Sequence, residues 1–306
     1  MKKRRHHYIW RNYLRAWSEN EQIWCYRENK IFPSNLMNIG QERDFYRLKD
    51  LTTQEIEFVK LLIHTSNSEM LIKLNHGWVE LFTTVFKLRE AVNDLDVSDT
   101  ELEKEIENKI ITLGEDFHSK IESSAIKFLD GMLTQNIDFL DDEENVIEFI
   151  HYLCVQYFRT KNVKENVASA VAELDFLDID KAWNILSHVF STTLGWSIYV
   201  ERALWNMVIL ENQTNTSFLT GDQPIINTYA AFGNKVTDHD HLEFYYPLSP
   251  NKALLLTKKP EYQRMQCKVV SETEVSQYNG SIVNLAYEQI YAASKFQLNE
   301  LVYADR

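Results

Sequence analysis

Apolar residues recur every three or four positions through the middle of the chain and fall into short β-rich runs at its two ends. "TTQEIEFVKLLIHTSNSEMLIKL" opens with a Thr and a Glu in capping positions and then repeats Ile56, Val59, Leu62 and Ile63, which predicts a helix from Thr52. Helical spacing continues through "GWVELFTTVFKLREAV" and "IESSAIKFLDGML", with the charged "DLDVSDTELEKEIENK" as a solvated connection and helix start. Leu140 to Lys161 is expected to contain a packed helix: acids at its N-terminal end offset the helix dipole, and Val146, Ile150, Leu153 and Tyr157 share a face. A further helix is expected from Asp180 to Leu210, carrying Trp183, Leu186, Phe190, Leu194 and Ile198.

At the N-terminal end, "QIWCYRENKIFPSN" reads as a hairpin turning at Arg27 to Lys30 and closed by Pro33. Beyond Asn212, "TSFLTGDQPIINTY", "LEFYYPLSPNKALLLTK" and "QCKVVSE" read as short strands, and the closing "SIVNLAYEQIYAASKF" as helical in its middle. These elements predict an α+β fold, predominantly α-helical, in which a small, mostly antiparallel sheet from the N-terminal hairpin and the C-terminal strands lies on one side of a helical body. The whole chain, 1–306, is expected to be a single domain: an arm and hairpin over 1–50, the helical body over 51–212, and strands with the closing helix over 213–306. No repeat of 20 to 50 residues is present.

Composition sharpens this picture. With 44% hydrophobic residues the 306-residue chain can bury a sizeable core, and only 8 Gly and 5 Pro favour helices over a many-stranded sandwich. The net charge of -13 opposes non-specific attraction to nucleic acid except at a local basic patch, of which Lys2 to Arg5 is the dense example and reads as a solvated tail. Cys25, Cys154 and Cys267 are too far apart for a zinc spacing, and this sparse, odd count suits a reducing cytoplasm. No apolar run approaches membrane-spanning length, so no membrane partner is expected.

The familiar nucleotide, zinc-protease and serine-hydrolase motifs are absent. Candidate chemistry lies in polar residues at awkward places. His7 and Arg11 would share a helix face at i and i+4, with Tyr13 and Arg15 beyond, and could bind a phosphate or carboxylate; the alternative is an aromatic anchor whose His bonds to backbone. Gln156 and Arg159 fall near the end of their helix, where Arg either complements the dipole or clamps an anion. Asp222, in "TGDQP", follows a β-run and precedes an X-Pro step, which suits either a functional strand-end acid or ordinary turn chemistry. Glu122, Glu201 and Arg202 read as ion-pair partners or ligands, and His239 and His241 as solvent-exposed.

Several of these positions form a pattern that resembles domain of unknown function 4238, a family of uncharacterised, mainly bacterial proteins. "HYIWRNYLRAW" is similar to its opening signature, with Trp10 in place of the usual Pro and Trp17 in place of Phe. "IWCYR", "ERDFY", "QYFRTK" (Gln156, Arg159, Thr160), "FLTGDQPII" and "YPLSPNKALLL" follow in the family's order, and Asn284 matches an Asn of the closing helix. The resemblance implies a fold and a shared cleft but no established activity.

The expected function is hydrolysis of a phosphate ester, in the specific form of a metal-dependent nuclease. His7 is the expected acid/base, and Arg11 and Arg159 would neutralise phosphate. Asp222 would bind a divalent ion or orient water. Tyr13, Gln156 and Asn284 complete the expected substrate-binding set. The alternative is a non-catalytic sensor or binding module for an anionic ligand or peptide. A purely structural interaction protein is the third reading.

Overall fold

The computed structural model describes residues 4–94, 100–231 and 241–304. The chain opens with a short strand β1 (Arg5–His7), a single helical turn α1 (Arg11–Leu14), the hairpin β2 (Gln22–Arg27) and β3 (Lys30–Asn35), and β4 (Gln41–Arg43). The helical body follows: α2 (Thr53–Ile63), α3 (Glu69–Asp94), α4 (Thr100–Leu133), α5 (Glu143–Phe158), α6 (Lys161–Ala170) and α7 (Ile179–Val200). Five strands come next, β5 (Asn206–Asn212), β6 (Thr220–Gly221), β7 (Ile226–Asn227), β8 (Phe244–Ser249) and β9 (Lys252–Thr257), then β10 (Cys267–Val270), α8 (Glu272–Leu285), β11 (Ile290–Ala292) and α9 (Lys295–Ala304). The fold is α+β and predominantly helical.

Local chemistry accounts for many of these boundaries. The Thr52 hydroxyl accepts the Glu55 amide at 3.2 Å while the Glu55 carboxylate accepts the Thr52 amide at 2.7 Å, a reciprocal cap that starts α2. Glu55 also accepts the Asp178 amide at 3.2 Å, which ties the start of α7 to the start of α2. Asp142 caps α5 through the Asn145 amide at 2.8 Å, with Glu143 and Glu144 in the first turn. The β2–β3 turn holds Glu28 and Asn29 in the left-handed region, φ 51° and 61°, as a two-residue hairpin favours.

Three layers position the site. The five-stranded sheet, ordered β10-β5-β9-β8-β7, is antiparallel except for the parallel β10–β5 pair. One of its faces sends Ile209, Phe244, Tyr246 and Leu254 into a core shared with Phe128, Phe149 and Tyr152 of the helical body. Its other face sends Val208, Leu210, Tyr245 and Leu255 against Val275 and Ile282 of α8. A second core, built on Val59, Phe82, Ile110, Trp183 and Leu186, lies between helices α2, α3, α4 and α7.

The N-terminal hairpin does join C-terminal strands, in a four-stranded sheet ordered β3-β2-β11-β6. The remaining C-terminal strands form the separate five-stranded sheet, so the expected small sheet is divided in two. Pro33 does not close the hairpin; it pairs with Trp24 inside β3, an edge strand where a missing N–H is tolerated. The helix expected to reach Leu210 ends at Val200, because Val208, Ile209 and Leu210 are a strand buried on both faces, a pattern that periodicity does not separate from a buried helix. In the closing segment the helix lies upstream, in α8, and "IYA" is the strand β11.

The basic start is not all tail, since Arg4 pairs with Asp44, its Nε 2.8 Å from the carboxylate, and Arg5 lies in β1; Lys2 and Lys3 lie outside the described residues. Residues 95–99 of the acidic connection and His239 also lie outside them. Among the described residues, no helix is long and apolar enough to cross a membrane.

Candidate functional site

Arg159 is the centre toward which the largest number of expected residues converge. It ends α5 with 1% of its surface exposed, and all its nitrogens are engaged: Nε donates to the Tyr46 hydroxyl at 2.7 Å, Nη1 to Glu122 and Nη2 to the carbonyl of His7. Its guanidinium also lies 5.3 Å from the centre of the Tyr46 ring. Burial alone would depress its pKa, but Tyr46, Glu122 and Glu115 outweigh that and hold the guanidinium charged.

The surroundings come from four directions. From α4, Glu115, His118 and Glu122 lie at i, i+3 and i+7 on one buried face. From α7, Asn184 and His188 lie at i and i+4, both buried. The arm brings Tyr46 and the buried His6, whose Nδ1 accepts the Tyr46 amide at 2.9 Å. Gln156, one turn before Arg159, is buried, and its side-chain nitrogen has no hydrogen-bond partner among the described residues.

From this centre a column of rings runs outward. Tyr46 meets His118 at 4.3 Å, His118 stacks on His188 at 5.2 Å, and His188 stacks on Trp78 of α3 at 4.5 Å, with Trp78 in turn 6.3 Å from His151 of α5. Burial drives the imidazoles neutral: the His118 pKa falls well below the ordinary value, further lowered by Arg159, and that of His188 falls to about 3.

Trp78 and His151 open onto a groove of about 620 Å³ between α3, α5 and α7. Met70, Leu74, Ile147 and Trp196 supply apolar lining, while Glu143 and Glu144 stand at the α5 end. Met70, Leu74 and Ile147 are 59%, 46% and 47% exposed, an apolar concentration that a helical body would ordinarily cover.

Asp222 has another task. Its carboxylate accepts the backbone amides of Tyr287, Glu288 and Gln289 at 2.7, 2.7 and 2.9 Å, fastening the turn between α8 and β11. Burial raises its pKa to about 6 against the opposing effect of those amides. Its hydrogen-bond partners are donors rather than further oxygen ligands, a poor fit to a divalent ion. Among the described residues no group of three or more His, Cys, Asp or Glu side chains is arranged to hold a metal ion.

The other expected residues divide. His7 and Arg11 do not share a helix face, because His7 ends β1 and the helix starts at Arg11. His7 reaches Arg159 through its backbone carbonyl. Arg11 instead turns to the surface, where Glu21 takes its Nη2 at 2.6 Å and its Nε at 3.0 Å. Tyr13 is buried in the sheet region, its hydroxyl 2.7 Å from Thr220 Oγ1 and 2.7 Å from the Pro247 carbonyl. Asn284 is exposed on α8; the buried asparagine of that helix is Asn279, which donates to the Ser217 carbonyl at 2.9 Å and accepts the Leu219 amide at 2.8 Å.

Glu122 is an ion-pair partner, and Glu201 pairs with Lys258 at 2.8 Å. His241 is exposed. Sequence reasoning missed Glu115, His118, His188 and Trp78. Glu115-x-x-His118-x-x-x-Glu122 at helical spacing was the available signal.

The order of motifs therefore has a physical counterpart in this chain: Arg159 holds the arm, Thr160 donates to Gln223 beside Asp222, and Tyr13 joins Thr220 to Pro247. An all-helical body clasped by an N-terminal arm around a buried arginine defines the class. The chain belongs to the family described as Protein of unknown function (DUF4238), which matches residues 5–296. Comparison with curated proteins and with solved structures finds no match.

Proposed function

We propose that this protein is a non-catalytic binding module whose ligand occupies the groove between α3, α5 and α7. The carrying observation is how the charged side chains are used. Arg159 is engaged by Tyr46, Glu122 and His7, Arg11 by Glu21, and Asp222 by three backbone amides. A phosphodiester would have to displace these internal partners, at the cost of leaving buried charges uncompensated. The groove offers apolar and aromatic surface at a volume within the range of small-molecule sites.

The test combines binding and turnover. Amphiphilic small molecules are screened by thermal unfolding of the full chain, and the saturable stabilisation expected for a groove ligand is lost in Trp196→Ala. Turnover of a simple phosphodiester in the presence of divalent metal, abolished by Asp222→Ala without loss of folding, would return the reading to a hydrolase.

A further inference from the structure

The groove has a chemical bias that follows from its walls. Its apolar floor would accept an alkyl or aryl body, but its rim is acidic: Glu143 and Glu144 open α5 directly after Asp141 and Asp142. A cation of this chain already uses part of that rim. The Arg202 guanidinium lies 4.4 Å from the centre of the Tyr199 ring, its Nη2 is 3.9 Å from Glu143, and Tyr199 itself donates to Glu143. Aromatic face plus carboxylate is a pairing that recognises cations. Glu144, by contrast, has no ion pair among the described residues, and Trp196 lies 6.5 Å from Tyr199 on the same wall.

We propose that the groove binds amphiphilic cations, an ammonium or guanidinium head carried on an apolar body. The inference rests on the binding-module reading and specifies its ligand. The body lies over Met70, Leu74 and Ile147, displacing water from exposed apolar surface. The head reaches Glu144 and the Trp196 ring at the rim. An anionic amphiphile gains the same apolar contact but meets Glu144, the rim carboxylate that no cation among the described residues offsets, so charge sets the preference while the apolar floor sets the affinity.

Three twelve-carbon probes with different heads test this on the full chain, each below its micelle-forming concentration: dodecyltrimethylammonium, dodecanoate and a neutral dodecyl glucoside. Tryptophan emission reports binding at Trp78 and Trp196. The expected result is saturable binding of the ammonium at least about tenfold tighter than dodecanoate at low salt. Ile147→Lys, at an exposed position where folding is retained, abolishes ammonium binding. Glu144→Gln narrows the ammonium preference about three- to tenfold.

Equal binding of all three probes, or a preference for dodecanoate, overturns the charge assignment and leaves the binding module standing. Binding that is indifferent to Ile147→Lys overturns the location, and with it both the inference and the groove as the ligand site. If none of the probes binds, both the inference and the reading beneath it fall.

Discussion

A guanidinium with 1% exposure is a costly group to bury, and Arg159 is tolerated because each of its three nitrogens donates to an acceptor and one of those acceptors is the Glu122 carboxylate. Removing it leaves Glu122 charged in the interior, so Arg159→Met should lower stability by about 3–5 kcal/mol. Urea unfolding checks this, and adding Glu122→Gln should recover part of the loss. His188 makes the opposite use of burial. Its pKa falls from 6.5 in the ordinary case to about 3 when folded, so the unfolded chain takes up a proton that the native ring refuses. The stability this contributes is complete above about pH 6.5 and is lost as pH falls toward about 3. His188→Phe should therefore lose about 2 kcal/mol less than the parent between pH 6.5 and 5, read from urea midpoints. His118 and His151 shift the same way and remain in the variant, and Asp222 shifts in the opposite sense, so the difference between the two proteins is the informative quantity.

Residues at this scale were unevenly legible. Arg159 and Gln156 stood out because they interrupt an apolar face near a helix end. Glu115 and His118 did not, because α4 is rich in Glu and Lys, and a buried acid there has the same neighbours in sequence as a solvated one.

Among elements, α4 packs tightly on the arm at Gly114. A Cβ built on Gly114 would come 2.9 Å from the Tyr46 Cβ and 3.0 Å from the Tyr46 carbonyl oxygen. Helix propensity favours Ala over Gly by up to about 1 kcal/mol, so Gly114→Ala in an unobstructed helix would stabilise. Here backbone must move to make room, and the expected outcome is a loss of about 1–3 kcal/mol by thermal or urea unfolding. Gly77, with nothing within 4 Å, is the matched control, and Gly77→Ala should gain stability. Elements with local punctuation were readable in the sequence: the Thr52 cap, the acidic start of α5 and the hairpin. β5 and β11 were not, because their strand character depends on partners distant in sequence.

For the whole molecule, the arm belongs to the interior. Tyr8, Tyr13, Leu14 and Trp17 share a core with Phe128, Tyr152 and Tyr246, and Trp17 donates to the Phe218 carbonyl at 3.0 Å. Deleting residues 1–46 should leave no cooperative unfolding transition, measured by circular dichroism against temperature, where a detachable arm would leave one intact. The helical body and the mixing of chain ends were visible from periodicity and composition. The groove was not, because its walls come from three helices whose exposed apolar residues look incidental one at a time.

The pairing of β2 with β11 also sets a timetable. Trp24 meets Ala292 across that sheet, so the first hairpin leaves the ribosome long before its neighbouring strand exists. At about 5–20 residues per second, the wait is on the order of tens of seconds. During translation the hairpin's inner edge carries unpaired amides and carbonyls beside Trp24 and Tyr26. Nascent chains halted before residue 290 would present that edge to one another, making this the natural place for a chaperone to hold and for crowded polysomes to stick.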